Sequence, residues 1–288
     1  MDPLPGNGYQ IGTYSWVIKG GGHTWSYSVQ LNTSPPTSSS YRVLAGGDYN
    51  GDGHDDIAIF RPSTGLWSIR GIARVYFGGS SDTPVPGDYG GDGTTRIAIF
   101  RESAGLWAMT SGARLYFGQS GDIPVPGDYK GTGYCHAGIF RPSTGMWAIA
   151  AVTRVYFGGA SDLPVPGDYN GNGTACGAIF RPSTGLWSFY GYSDRHYFGR
   201  SGDIPVPGDY DGSGDWDVAI YRPSTGLWSI YGGNRYYFGD SSAQPVPADY
   251  QGGYADEMAI FRPSSGLWAI RGGNRHYFGR SGDIPVTR

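Results

Sequence analysis

The chain has 288 residues, 51 of them glycine and 20 proline, and a formal net charge of −3. It has no run of Lys or Arg to serve as the basic footprint of a nucleic-acid or anionic-membrane binder, and no apolar run long enough to span a bilayer. Glu occurs only at Glu102 and Glu257 and Lys only at Lys19 and Lys130; Asp bonds backbone in turns whereas Glu and Lys fill helix surfaces, so this usage points to an all-β chain dense in loops.

One unit recurs almost without change. A Phe-Arg-Pro-Ser-Thr-Gly run with its Trp stands at 60–67, 100–107, 140–147, 180–187, 221–228 and 261–268, at a spacing of 40 residues with a single 41. A fixed period of about 40 residues carrying several short strands per unit is the mark of a β-propeller. Glycines and prolines fall at fixed phases of it, so they read as turns and not as a disordered tract.

The N-terminal stretch is degenerate but in register. Thr13-Tyr-Ser-Trp-Val-Ile-Lys-Gly parallels a strand C, and residues 25–29 serve as its strand D. In a clear repeat the pattern predicts strand A at 83–87, a loop at 88–96, strand B at 97–101, strand C at 106–109 and strand D at 114–117. Strand B, Ile-Ala-Ile-Phe, lacks polar alternation, as expected where both sheet faces are covered. The single extra residue falls in the C–D hairpin at 190–194, where insertion is cheap. The chain closes on Gly282-Asp-Ile-Pro-Val-Thr-Arg, a strand A with no blade after it. Joined to the N-terminal strands it would make a seventh blade and remove sheet edges; joined to another copy it would build a fibre by strand addition. The expectation is one seven-bladed propeller over 1–288, with a degenerate blade segment at 1–40, six clear repeats at 41–280 and a closing strand at 281–288.

The loop between strands A and B carries the sharpest motif. Asp48, Asn50, Asp52 and Asp56 place oxygen side chains at positions 1, 3, 5 and 9, with glycines between and the His54 carbonyl at position 7. Alternate residues of a tight loop can converge on one point, and calcium takes six to eight such oxygens. Asp209, Asp211, Ser213, Asp215 and Asp217 repeat the pattern. An ordinary Asp-Gly turn would explain the glycines but not the matching ninth carboxylate. The other loops erode: position 9 becomes Arg96, His136 or Cys176, and position 3 becomes Gly90 or Lys130. There a tethered Arg or Lys is expected to supply the charge that Asp88 or Asp128 would seek from a metal. The loops with Asp168, Asn170 and Asn172, and with Asp249, Gln251 and Glu257, are marginal.

Cys135 and Cys176 are either a cross-blade disulfide, if their Cα atoms come within about 7 Å, or two partly buried thiols; with His136 they form only a weak metal constellation. Trp67, Trp107, Trp147, Trp187, Trp228 and Trp268 share one phase and read as core. Arg74, Arg114, Arg154, Arg195, Arg235 and Arg275 likewise share one phase and read as ion-pair elements with a neighbouring Asp. Trp16, His23, Trp25 and Trp216 do not repeat, which makes them candidates for partner contacts. Non-repeated acids, bases and nucleophiles are few, Glu102 and His136 among them, so no catalytic site stands out.

At these residues the chain resembles the FG-GAP repeats of calcium-binding, integrin α-subunit-like propellers. Phe77-Gly78 leads into Gly87-Asp88 and the Gly-Asp-Gly loop, Ile99-Phe100-Arg101 ends the next strand, and Pro62 takes the place of the final Pro, although Phe-Arg-Pro stands where Gly-Ala-Pro would. The resemblance implies a seven-bladed, extracellular, non-catalytic ring that binds calcium in the two intact loops. The start, Met-Asp-Pro-Leu-Pro-Gly, has no charged-then-apolar stretch, and the composition suits a secreted or cell-surface protein whose leader is absent from this chain. The expected function is a binding or self-assembling surface module, adhesin-like or fibre-forming, whose partner is a protein, a glycan or another copy of itself; the alternative is a carbohydrate-binding lectin.

Overall fold

The computed structural model describes residues 13–20, 23–30 and 47–287, the first two stretches as backbone strands only. Two compact units divide the chain, Met1–Ser40 and Tyr41–Arg288. In the first, Thr13–Gly20 and His23–Gln30 pair antiparallel, Thr13 opposite Gln30, as a two-stranded sheet of their own.

The second unit is a propeller of six four-stranded antiparallel blades. In blade two, strand A is Thr83–Pro84, strand B Ala98–Arg101, strand C Leu106–Met109 and strand D Arg114–Tyr116. Strand A is short because Pro84 and Pro86 have no N–H to donate to a ladder. The B–C turn needs its glycine: Gly65 has φ +67, and a Cβ there would stand 2.3 Å from the Gly78 carbonyl oxygen. The six repeated tryptophans are fully buried. Each lies about 5 Å from the strand-B ring opposite it, as Trp67 does from Phe60 at 5.1 Å, and donates its indole N–H to a backbone carbonyl, as Trp67 does to Phe77 at 3.0 Å. These tryptophans, each a large ring with a satisfied polar handle, head the largest fully buried side chains among the described residues.

The expectation of seven blades is corrected to six. The closing strand Ile284–Pro285 does not complete a blade with the N-terminal hairpin; it pairs with Ala58–Arg61, Ile284 opposite Phe60 and Pro285 opposite Ile59, as strand A of blade one. The chemistry of the seam is that of every other blade. Tyr89 donates its hydroxyl to the Val85 carbonyl four residues away, while Tyr49 donates to Val286 across 237 residues. Arg101 grips the buried Asp82 through two hydrogen bonds, and Arg61 grips the buried Asp283 in the same way. That bond raises the Arg61 pKa. A six-membered ring needs one strand A per B–C–D set, and the C-terminus supplies the missing one.

These pairs also correct the reading of the arginines. The carboxylates are held by strand-B arginines, Arg61, Arg101, Arg141, Arg181 and Arg222, whereas Arg74 and its equivalents are exposed. In blade six Ala243 replaces the usual Asp, and Arg262 turns to Asp240 and Ser242.

Six A–B loops are linked by one cycle of backbone hydrogen bonds. The carbonyl of the leading Asp in each loop accepts the N–H of the eighth residue of the next: Asp48 from Thr95, Asp88 from Cys135, Asp128 from Ala175, Asp168 from Trp216, Asp209 from Asp256, and Asp249 from Asp55. The last bond closes the ring. All candidate metal loops therefore lie on one belt, each joined to its neighbour through an amide.

Candidate functional site

The leading Asp of each loop first builds the loop itself. Asp48 accepts the N–H groups of Gly51 at 2.6 Å and Gly53 at 2.8 Å. Asp88 does the same for Gly91 and Gly93, and Asp209 for Gly212 at 2.7 Å and Gly214 at 2.8 Å. This role is independent of any metal and explains why the leading Asp persists in eroded loops.

The two intact loops differ in geometry. In the fifth, Asp209, Asp211 and Asp217 bring one carboxylate oxygen each to within 4.8 Å of one another, the one such group of His, Cys, Asp or Glu among the described residues. Ser213 and Asp215 bond to each other at 2.7 Å beside them. Burial pushes the Asp217 carboxyl up, the Tyr210 N–H opposes this, and the charges of Asp211 and Asp209 push it further up. Hydrogen bonding by Ser213 holds Asp211 below its ordinary value. Three carboxylates gathered this closely, one buried and one half-buried, suit a hard divalent cation. In the first loop Asp48, Asp52 and Asp56 do not converge in this way. Asn50 donates to Asp52 at 2.9 Å, Asp56 accepts the Tyr49 N–H at 2.9 Å, and the His54 ring lies against Gly252 of the sixth loop. Burial, then the charges of Asp52 and Asp48 against the Tyr49 bond, raises Asp56 to about 6.

The eroded loops are filled from within. Arg96 lies over Gly90 and pairs with Asp92 at 2.5 Å, not with the leading Asp88 that the sequence suggested. His136 is buried with its Nδ1 3.9 Å from Asp128 and no hydrogen-bond partner. Cys135 and Cys176 are free thiols, pushed by burial up to about 12 and about 11. Glu102 accepts the N–H of Gly121 at 2.6 Å and the hydroxyl of Ser120, a turn-holding role.

Of the non-repeated candidates, the side chains of Trp16, His23 and Trp25 lie outside the described residues. Trp216 does not. Its indole lies on Gly167 of the preceding loop, so closely that a Cβ there would stand 2.2 Å from the ring. It forms one wall of a cleft of about 340 Å³ between blades four and five, with Tyr169, Phe189, Tyr192, His196 and Tyr231 as further walls and Asp194, Asp215 and Asp217 among its polar groups. Sequence reasoning named Trp216, Asp215 and Asp217, and Asn170 and Cys176 as parts of an eroded loop, but not this cleft or its aromatic walls. The signal was there: the 41-residue spacing marks the insertion that carries Tyr192 and Asp194.

The FG-GAP repeat family model matches residues 40–76, the stretch that holds the first clear repeat and its loop. The FG-GAP resemblance and the propeller arrangement thus agree. No curated protein and no solved structure matches the chain. An FG-GAP propeller is typically a non-catalytic, extracellular interaction module, and among the described residues no helix is long and apolar enough to cross a membrane.

Proposed function

We propose that this chain is a non-catalytic surface interaction module whose ring is locked by calcium in the fifth A–B loop. The observation that carries the metal is the convergence of Asp209, Asp211 and Asp217. Asp211 and Asp217 would hold the ion by side-chain oxygens, with Ser213 and Asp215 completing the set. Asp209 keeps lone pairs beyond those used by its loop. Bound calcium would neutralise the crowded carboxylates and stiffen the loop, and the Asp256 N–H to Asp209 carbonyl bond links that loop to the next. The first loop, Asp48 to Asp56, is a weaker second position that must rearrange before it can bind.

Calorimetric titration of the chelator-treated chain with calcium tests this, together with melting curves in calcium and in chelator. Saturable binding and a raised Tm are expected, both lost in Asp217→Asn, which keeps an acceptor for the Tyr210 N–H. No heat and an unchanged Tm would end the calcium reading.

One observation favours self-assembly as a further property. The N-terminal hairpin is a two-stranded sheet, and two strands alone are marginally stable in water. If it completes its sheet with another copy, deleting residues 1–40 abolishes higher-order particles in negative-stain images and leaves the ring intact; equal particles from both chains would exclude it.

A further inference from the structure

We infer that the cleft between blades four and five binds an organic cation, an ammonium head group carrying methyl or methylene carbons. At about 340 Å³ the cleft is the size of a small-ligand site. Its walls present Tyr192, His196, Trp216 and Tyr231, while Asp194, Asp215 and Asp217 contribute negative charge and no Lys or Arg lines it. Aromatic faces and carboxylates both attract positive charge, and a partly desolvated ammonium gains from both at once. A neutral saccharide could stack on the rings and donate hydroxyls to the carboxylates, but it would gain nothing from their net charge.

Two of the other blade boundaries show what fills this place when the chain provides its own occupant. Between blades five and six, Arg271 lies over the Tyr236 ring at 3.9 Å. Tyr236 is the strand-D residue equivalent to His196, and Arg271 is equivalent to Tyr231, each three residues beyond its tryptophan. At the seam between blades six and one the same two places hold His276 and Arg70, which line a common cleft. Between blades four and five this place holds Tyr231, whose ring lies 4.5 Å from His196, just as Thr110, Ala150 and Tyr190 hold it in blades two to four. The aromatic and acidic walls remain, and the internal cation does not. The other departures from the repeat converge here too: the inserted residue brings Tyr192 and Asp194, and the eighth loop position, Asp, Thr, Cys or Ala elsewhere, is Trp216.

This inference supplies a ligand class for the interaction-module reading and rests on it; Asp215 and Asp217 also belong to the proposed calcium set, so bound calcium would leave Asp194 as the remaining negative charge and weaken cation binding. The full chain is titrated calorimetrically with choline, with N-acetyl-trimethyllysine amide and with dimethylbutanol, the uncharged isostere of choline, in chelator and again in calcium. Saturable binding of a cation with none of the isostere is expected. Choline binding more tightly points to a free base, and the trimethyllysine amide to a side chain of a partner protein. Tyr231→Arg, which installs the occupant of the neighbouring cleft, should abolish binding at an unchanged Tm, and Asp194→Asn or Trp216→Ala should weaken it about tenfold. Absence of cation binding, equal binding of the isostere, an unaffected Tyr231→Arg variant, or saturation by N-acetylglucosamine in place of the cations would each overturn the inference. A chain that fails to respond to calcium yet binds choline loses only the metal reading.

Discussion

Blade one and blade two hold the same bonds, but blade two makes them between residues 4 to 19 positions apart and blade one makes them between the two ends of the ring. Arg101 to Asp82 spans 19 residues and Arg61 to Asp283 spans 222. Equal contacts therefore do not mean equal resistance to opening. Within blade two the unfolded chain already holds the partners close, whereas the seam must close a loop of nearly the whole ring, and that entropy is lost again whenever it opens.

The largest expected effect comes from removing the seam strand. Deleting residues 282–288 strips blade one of Asp283 and of the buried Val286, and a cooperative urea transition should be lost. A circularly permuted chain that places this strand directly before blade one should recover it. If the truncated ring melts like the intact one, strand closure is not what holds the ring. Single substitutions sharpen the comparison. Arg61→Ala and Arg101→Ala each leave a buried carboxylate without its partner, a loss of about 3 kcal/mol. The seam variant alone is expected to show accelerated hydrogen exchange at 58–61, and matching exchange in both would show the seam to be as tight as an internal blade.

The fifth and second loops allow a subtler comparison. Asp209 and Asp88 each hold their loop amides, so alanine at either should destabilise the chelator-treated chain by about 1–3 kcal/mol. Only the Asp209 variant should change the calcium response. Loss of calcium response in Asp88→Ala would show that the belt, and not the local ligand set, governs binding.

The smallest effect concerns the thiols. With Cys176 raised to about 11 and Cys135 to about 12 by burial, only about a thousandth or less of either is thiolate at pH 8. Native chain should react with a disulfide reagent orders of magnitude more slowly than chain in denaturant, with Cys176 first. Immediate labelling of two thiols would place those residues outside the core.

Much of the blade was legible from residue order. The tryptophan at one phase in every repeat had to be core, and strand B, apolar throughout, had to be covered on both sides. Strand A came out shorter than the pattern 83–87 suggested, because prolines interrupt the ladder. The number of blades misled because the hairpin near the N-terminus imitates strands C and D. A discriminating residue was present: Arg42 occupies the place where an Asp stands 19 residues before the arginine of blades two to five, so the first repeat carries no partner for Arg61 and must find one elsewhere. The two calcium motifs read alike, and in both the tyrosine amide engages the ninth-position Asp, yet in the first Asn50 engages Asp52 and only the fifth gathers its carboxylates.

Residue order by itself determined what depends on local periodicity: four strands per unit, the glycines of the turns, the buried tryptophans, and the loops in which an aspartate ties up its own amides. These follow from sterics and hydrogen bonding within about 40 residues, and each copy repeats them. Tertiary structure alone decided which strand closes the ring, which carboxylates meet, and which side chains face one another across a blade boundary. Those contacts join residues from different repeats or opposite ends of the chain, and the repeat that makes each blade legible makes all blades look alike until their neighbours are known.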